Sequence, residues 1–168
     1  AQAGVLTTDI LSLAMPLGWY LCGLSGSLKN TVAGDISNNV HGKDSWKYGN
    51  FGANVISMKI FLADGTISEA SHKHNSELFN AVIGGMGLLG IILEVTLQLI
   101  KIPSYMIESQ SERVPNFQTL IKKMTLLNET EDSFGYAWTD PFSQNSSFGR
   151  SIVETALFVE ISKTYSIK

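Results

Sequence analysis

The sequence predicts an α+β fold, and three observations carry that reading. Short runs alternate apolar and polar residues with a period of two, most clearly over residues 91–99. Phe117, Leu120, Ile121 and Met124 follow the i, i+3, i+4, i+7 spacing of an amphipathic helix. Strand-like and helix-like segments are interspersed without the regular spacing of βαβ units.

Taken in order, residues 8–14 read as a short helix with Thr7 or Thr8 as its cap, stopped by Pro16 and Gly18. Residues 19–22 form a brief strand, and 24–29 a loop in which serines flank Gly26. In the strand over 55–62, Ile56, Met58, Ile60 and Leu62 alternate with Val55, Ser57, Lys59 and Phe61, so both faces are expected to be covered. Asp64-Gly65 then turns the chain into a return strand over 67–70, because that hairpin turn needs positive φ. Ser76 caps a helix holding Leu78, Phe79, Val82 and Ile83, which Gly84 and Gly85 end. Over 91–99, Ile91, Leu93, Val95, Leu97 and Leu99 face one way and Glu94, Thr96 and Gln98 the other, until Pro103 closes the strand. A helix over 116–124 and strands over 136–138 and 152–159 complete the reading.

Composition removes several function classes. With 16% charged residues and a net charge of -3, the chain lacks the basic face of a nucleic-acid binder. Its single cysteine, Cys22, can form neither an intrachain disulfide nor a cysteine metal site. The most apolar stretch, 88–102, is interrupted by Gly90, Glu94, Thr96 and Gln98 and is too short to span a bilayer, which takes about 20 residues. The first residues lack the charged start and apolar run of a signal peptide. A soluble protein is expected.

Three features carry chemistry. Gly85-Met86-Gly87-Leu88-Leu89-Gly90 matches G-x-G-x-x-G, but a helix precedes it and a strand follows, the reverse of a dinucleotide-binding unit. A tight helix-to-strand turn, or a turn lying against a flat ligand, fits that order better. Residues 31–43 are rich in small and hydrogen-bonding side chains. Such a segment either is a plain surface loop or presents backbone N–H groups to a polar ligand, with His41 and Lys43 beside the reacting carbon. His72 and His74 with Glu69 and Glu77 offer metal-ligand chemistry, although a polar connection is the preferred reading and no metal is assigned.

Several pieces recur in one order: Thr31-Val32-Ala33-Gly34, His41-Gly42-Lys43, Gly49-x-Phe51-Gly52, Ala63-Asp64-Gly65, Glu77-Leu78-Phe79, and the run from Gly84 through Gly90 to Ile91-Ile92. In that order and spacing they resemble the vanillyl-alcohol-oxidase (PCMH) type of FAD-binding domain found in FAD-linked oxidases. His41-Gly42-Lys43 and the later Tyr136-Ala137-Trp138 … Phe148-Gly149-Arg150 are similar to its decaprenylphosphoryl-ribose oxidase branch. The likeness covers nearly the whole chain.

The resemblance implies the second subdomain of the FAD-binding domain over 1–103 and the beginning of an α+β substrate domain over 104–168. The first subdomain, with its pyrophosphate loop, is expected before Ala1, which makes the chain an internal fragment without turnover of its own. Carried over by position, Gly26, Thr31, Val32, Ala33 and Gly34 match backbone contacts to FAD. Asn38, Asn39, Val40, His41 and Gly42 match the stretch along the flavin, Gly87 a close approach, and Ile92 an apolar contact. These pieces make 31–43 a flavin-facing strand and turn. His41 and Lys43 match the substrate side and are the catalytic candidates. Ala33 stands where glycine is common, Asp35 and Asn38 where small residues are frequent, and Met86 where a polar residue is often found.

The function implied is oxidation of a secondary alcohol of a sugar or polyprenyl-phospho-sugar in bacterial cell-wall biosynthesis, with a partner reductase completing an epimerisation. The implied location is cytoplasmic and peripheral at the inner membrane, with self-association through the face left open by truncation. A sugar-lactone or alditol oxidase using oxygen, and a flavin-free interaction domain, are the alternatives.

Overall fold

The computed structural model describes residues 1–129 and 133–161. The fold is α+β, in two compact units, Ala1–Lys101 and Ile102–Lys168.

In the first unit the central strand β2 (Val55–Phe61) pairs antiparallel with β3 (Ile67–Ser71) and with β4 (Ile91–Leu97). The first residues extend the sheet beyond β4: Val95 donates its N–H to the Ala1 carbonyl and Ala3 to that of Leu93. Helices α1 (Thr7–Ala14), α2 (Val32–Ser37) and α4 (Ser76–Val82) supply Leu11, Val32, Ile36, Phe79 and Val82 to a core shared with Val55, Met58, Ile60, Ile92 and Val95. A short pair, β1 (Trp19–Tyr20) with β5 (Ile100–Lys101), and the one-turn helix α3 (Ser45–Tyr48) complete the unit.

Register explains where simple alternation fails. Ser57 pairs with Thr96 but Val55 pairs with Leu97, so Ile56 is an extra residue in β2. Lys59 pairs with Glu94 and Ile60 with Ile92, which makes Leu93 the extra residue in β4. Each bulge resets the period. Val55, Met58 and Ile60 therefore face the helices, while Ile56 and Phe61 are exposed, so β2 is covered on one face rather than two. In β4 the inward residues are Ile92 and Val95, not Ile91 and Leu93.

Cap positions shift as well. Leu6, not Thr7 or Thr8, occupies the cap of α1, and the fully buried Thr7 sends its hydroxyl to the Leu28 carbonyl. Asn75, at φ 48°, precedes α4, so Ser76 is its first residue. Asn75 uses its amide on the Glu69 carbonyl instead of capping. The expected turn after β2 is present, with Gly65 at φ 85° and Asp64 Oδ1 accepting from Thr66 N–H.

The second unit is a three-stranded antiparallel sheet in the order β6 (Met106–Val114), β8 (Ser151–Val159), β7 (Ser133–Thr139). Helix α5 (Phe117–Asn128), capped by Asn116 Oδ1 on Thr119 N–H, lays Leu120 and Met124 over Val114, Val153 and Ala137. Phe117 and Ile121, placed in the same stripe by spacing, are about half exposed. Strand β6 is absent from the sequence reading. Its run of Glu108, Ser109, Gln110, Ser111, Glu112 and Arg113 has no apolar alternation, because an edge strand can be largely exposed.

Candidate functional site

Residues 31–43 form a capped helix and a turn, not a strand and turn. Thr31 Oγ1 accepts from Gly34 N–H at 3.1 Å and starts α2. Val32, Asp35 and Ile36 point inward and Ala33 packs against the core, which leaves Gly34, Ser37 and Asn38 on the outer side. Asn39, at φ 43°, ends the helix and accepts from Gly52 N–H through Oδ1. The glycine turn at 84–87 docks on this end: Gly84 N–H reaches the Ile36 carbonyl at 3.0 Å and Met86 N–H that of Ser37 at 2.8 Å. Helix α4 precedes this turn and β4 follows it, so no long helix starts at the glycines and a dinucleotide-binding unit is excluded.

Asp35 is 1% exposed. Its Oδ1 accepts from Asn30 Nδ2 at 2.9 Å, and its Oδ2 is buried with no partner. Burial holds its carboxyl above the ordinary range, against the opposing pull of Asn30. The Asp35 side chain is thus turned into the protein.

The turn 41–43 is fastened at both ends. Val40 accepts from Phe51 N–H at 2.9 Å. Asp44, 3% exposed, accepts from Gly23 N–H at 2.9 Å through Oδ2 and from the Cys22 thiol. Burial raises the Asp44 carboxyl above its usual value, and these hydrogen bonds pull it part of the way back. Gly42 lies so close to the 22–24 segment that a Cβ there would stand 1.8 Å from the Leu24 carbonyl oxygen. Between these anchors the side chains of His41 and Lys43 are exposed.

The residues singled out in the sequence differ in exposure, and Thr31 is half-buried. Gly26, Asn38, His41, Lys43 and Gly87 are exposed, and Ala33, Gly34, Asn39, Val40 and Gly42 are half-buried. Val32 and Ile92 bury their side chains in the core at 0% and 5% exposure, and the Val32 N–H donates to the Val5 carbonyl. Among the described residues, the backbone N–H groups of Gly26, His41 and Gly87 have no hydrogen-bond partner. Gly26 and Gly87 also have open space where a Cβ would stand. His72 and His74 are exposed; the His72 ring packs edge-on against Phe79 and His74 pairs with Asn75. No three His, Cys, Asp or Glu side chains gather as metal ligands among the described residues. Sequence reasoning missed Gly23, Cys22 and Asp44, because their link spans 21 residues and has no periodic signature.

Residues 1–71 match the model of a family described as FAD binding domain. This part of the chain carries a PCMH-type FAD-binding domain match. FAD is the cofactor of that family, and the donor set fits it: unengaged N–H groups and bare glycines suit close contact with a flat, polar group. The FAD-binding segment has relatives along nearly the whole chain. Decaprenylphosphoryl-beta-D-ribose oxidase of Mycolicibacterium smegmatis is 29% identical over 153 residues, covering 90% of this chain and 33% of that protein. L-gulonolactone oxidase of Mus musculus is 30% identical over 152 residues, covering 87% of this chain and 32% of the relative. D-arabinono-1,4-lactone oxidase of Yarrowia lipolytica is 28% identical, with 89% and 28% covered. The chain spans about a third of the length of these relatives. Among the described residues no helix is long and apolar enough to cross a membrane.

Proposed function

We propose that this chain supplies one wall of an FAD site in an enzyme that oxidises a secondary alcohol of a sugar. The observation that carries the reading is the anchored 41–43 turn, which holds the His41 and Lys43 side chains outward and leaves the His41 N–H unengaged. Gly26, the outer side of α2 and the turn at 84–87 would hold the cofactor. FAD held there supplies the acceptor for the hydride leaving an alcohol carbon.

The protein's own part is binding and proton handling. The imidazole of His41 orients the substrate hydroxyl, and an imidazole nitrogen takes the proton that leaves its oxygen. The Lys43 ammonium stabilises negative charge developing on that oxygen. Polar groups outside this chain complete the substrate pocket.

His41→Ala in the full-length enzyme is expected to slow flavin reduction by sugar by about a hundredfold while FAD stays bound. Unchanged reduction kinetics in a stopped-flow trace would remove His41 from the chemistry. Similarity to a decaprenylphosphoryl-ribose oxidase favours a polyprenyl-phospho-sugar as substrate; we propose with it a reductase that completes an epimerisation at the cytoplasmic side of the membrane. Similarity to two lactone oxidases supports a second reading, oxidation of a sugar lactone with oxygen as acceptor. Peroxide formed in step with sugar consumption selects the second.

A further inference from the structure

We infer that Asp44 is a positioning residue that fixes His41 and Lys43 against the loop carrying Gly26. The inference rests on the role given to His41 above. The three-residue turn is clamped on both sides. Before it, Val40 accepts from Phe51 N–H; after it, Asp44 is held twice. The Asp44 backbone carbonyl accepts from Lys47 and Tyr48 N–H and starts α3, while its side chain crosses to Gly23 N–H at 2.9 Å.

The partner segment is equally constrained. Gly23 sits at φ 72°, and a Cβ there would lie 2.7 Å from Phe51 N, so the segment cannot slide toward 50–51. Gly42 presses on the Leu24 carbonyl. The carboxylate thus links two closely packed backbones, 3% exposed and satisfied by Gly23 N–H and the Cys22 thiol. Burying a carboxylate is unfavourable unless its oxygens are hydrogen bonded. The spacing at which those bonds form is thus the spacing the turn adopts. Asparagine retains an acceptor for Gly23; alanine leaves that buried N–H without one. Asp44 touches neither substrate nor cofactor in this scheme and acts through His41.

The test uses the full-length holoenzyme and stopped-flow flavin reduction in four variants: His41→Ala, Asp44→Ala, Asp44→Asn, and Asp44→Ala with His41→Ala. If Asp44 acts through His41, Asp44→Ala slows reduction by about the factor His41→Ala does, and the double variant is no slower than His41→Ala alone. Asp44→Asn stays within about threefold of the parent, since it keeps the acceptor. Multiplicative losses in the double variant would overturn the inference. Should His41→Ala have no effect, the proposed role of His41 fails, and a second measurement decides the role of Asp44 alone. In that measurement, backbone amide resonances of His41, Gly42 and Lys43 in the 168-residue chain shift in Asp44→Ala and hold in Asp44→Asn. Resonances unmoved in Asp44→Ala refute the positioning role. If Asp44→Ala does not fold, Asp44→Ser, too short to reach Gly23, replaces it in both measurements.

Discussion

Two buried carboxylates, Asp35 and Asp44, are each held above their usual value by desolvation. Their sign on stability is the same. Between the unfolded and the raised folded value, the folded chain binds the proton more tightly than the unfolded one. Stability from each group is therefore fully present below the unfolded value and is lost as pH rises through the folded one. Asp35 is the cleaner case, because its Oδ2 has no partner to compensate for ionisation. Asp35→Asn keeps an acceptor for Asn30 and removes the charge. Its melting temperature relative to the parent chain is expected to rise between pH 4 and pH 7. A difference that does not change with pH would show that Asp35 is not the group responsible. At Gly42 the constraint is steric. Gly42→Ala drives a Cβ onto the Leu24 carbonyl, a backbone atom that cannot rotate away. A loss of about 1–3 kcal/mol in urea unfolding is expected.

At the scale of elements, α2 shows what a sequence conveys and what it hides. Thr31 is followed by small residues, and that composition reads equally as loop, strand edge or capped helix. Val32 and Ile36, one turn apart, are the only apolar signal of its inward face, and six residues are too few for a clear period. The cap decides the outcome. Thr31→Ala is expected to cost about 1 kcal/mol, and Thr31→Ser to restore most of it, in denaturant unfolding monitored by circular dichroism. Equal stability of all three would mean that packing of Val32 and Ile36 alone holds the helix. The Asp64-Gly65 turn and the 84–90 turn were legible because each depends on local backbone chemistry. Bulges at Ile56 and Leu93 were not, since an extra residue is defined only by the strand opposite. The same limit hid Asp44: its side chain is read only once Gly23 lies beside it.

For the molecule as a whole, the exposed apolar surface of the first unit has the clearest consequence. Phe61 lies directly opposite Ile67 on one side and Ile91 on the other, and all three are exposed, at 40%, 61% and 63%. Direct cross-strand partners stand about 5 Å apart, so the three side chains form one continuous apolar row. A row of this kind marks a contact surface or an association liability. With a net charge of only -3, long-range repulsion does little to oppose association. The chain is expected to self-associate in sedimentation velocity as concentration rises, and Ile67→Lys with Ile91→Lys to shift it toward monomer. Both substitutions sit at exposed strand positions, so their effect on folding should be small. A parent chain that sediments as monomer throughout, or a double variant that associates equally, would exclude this row as the contact.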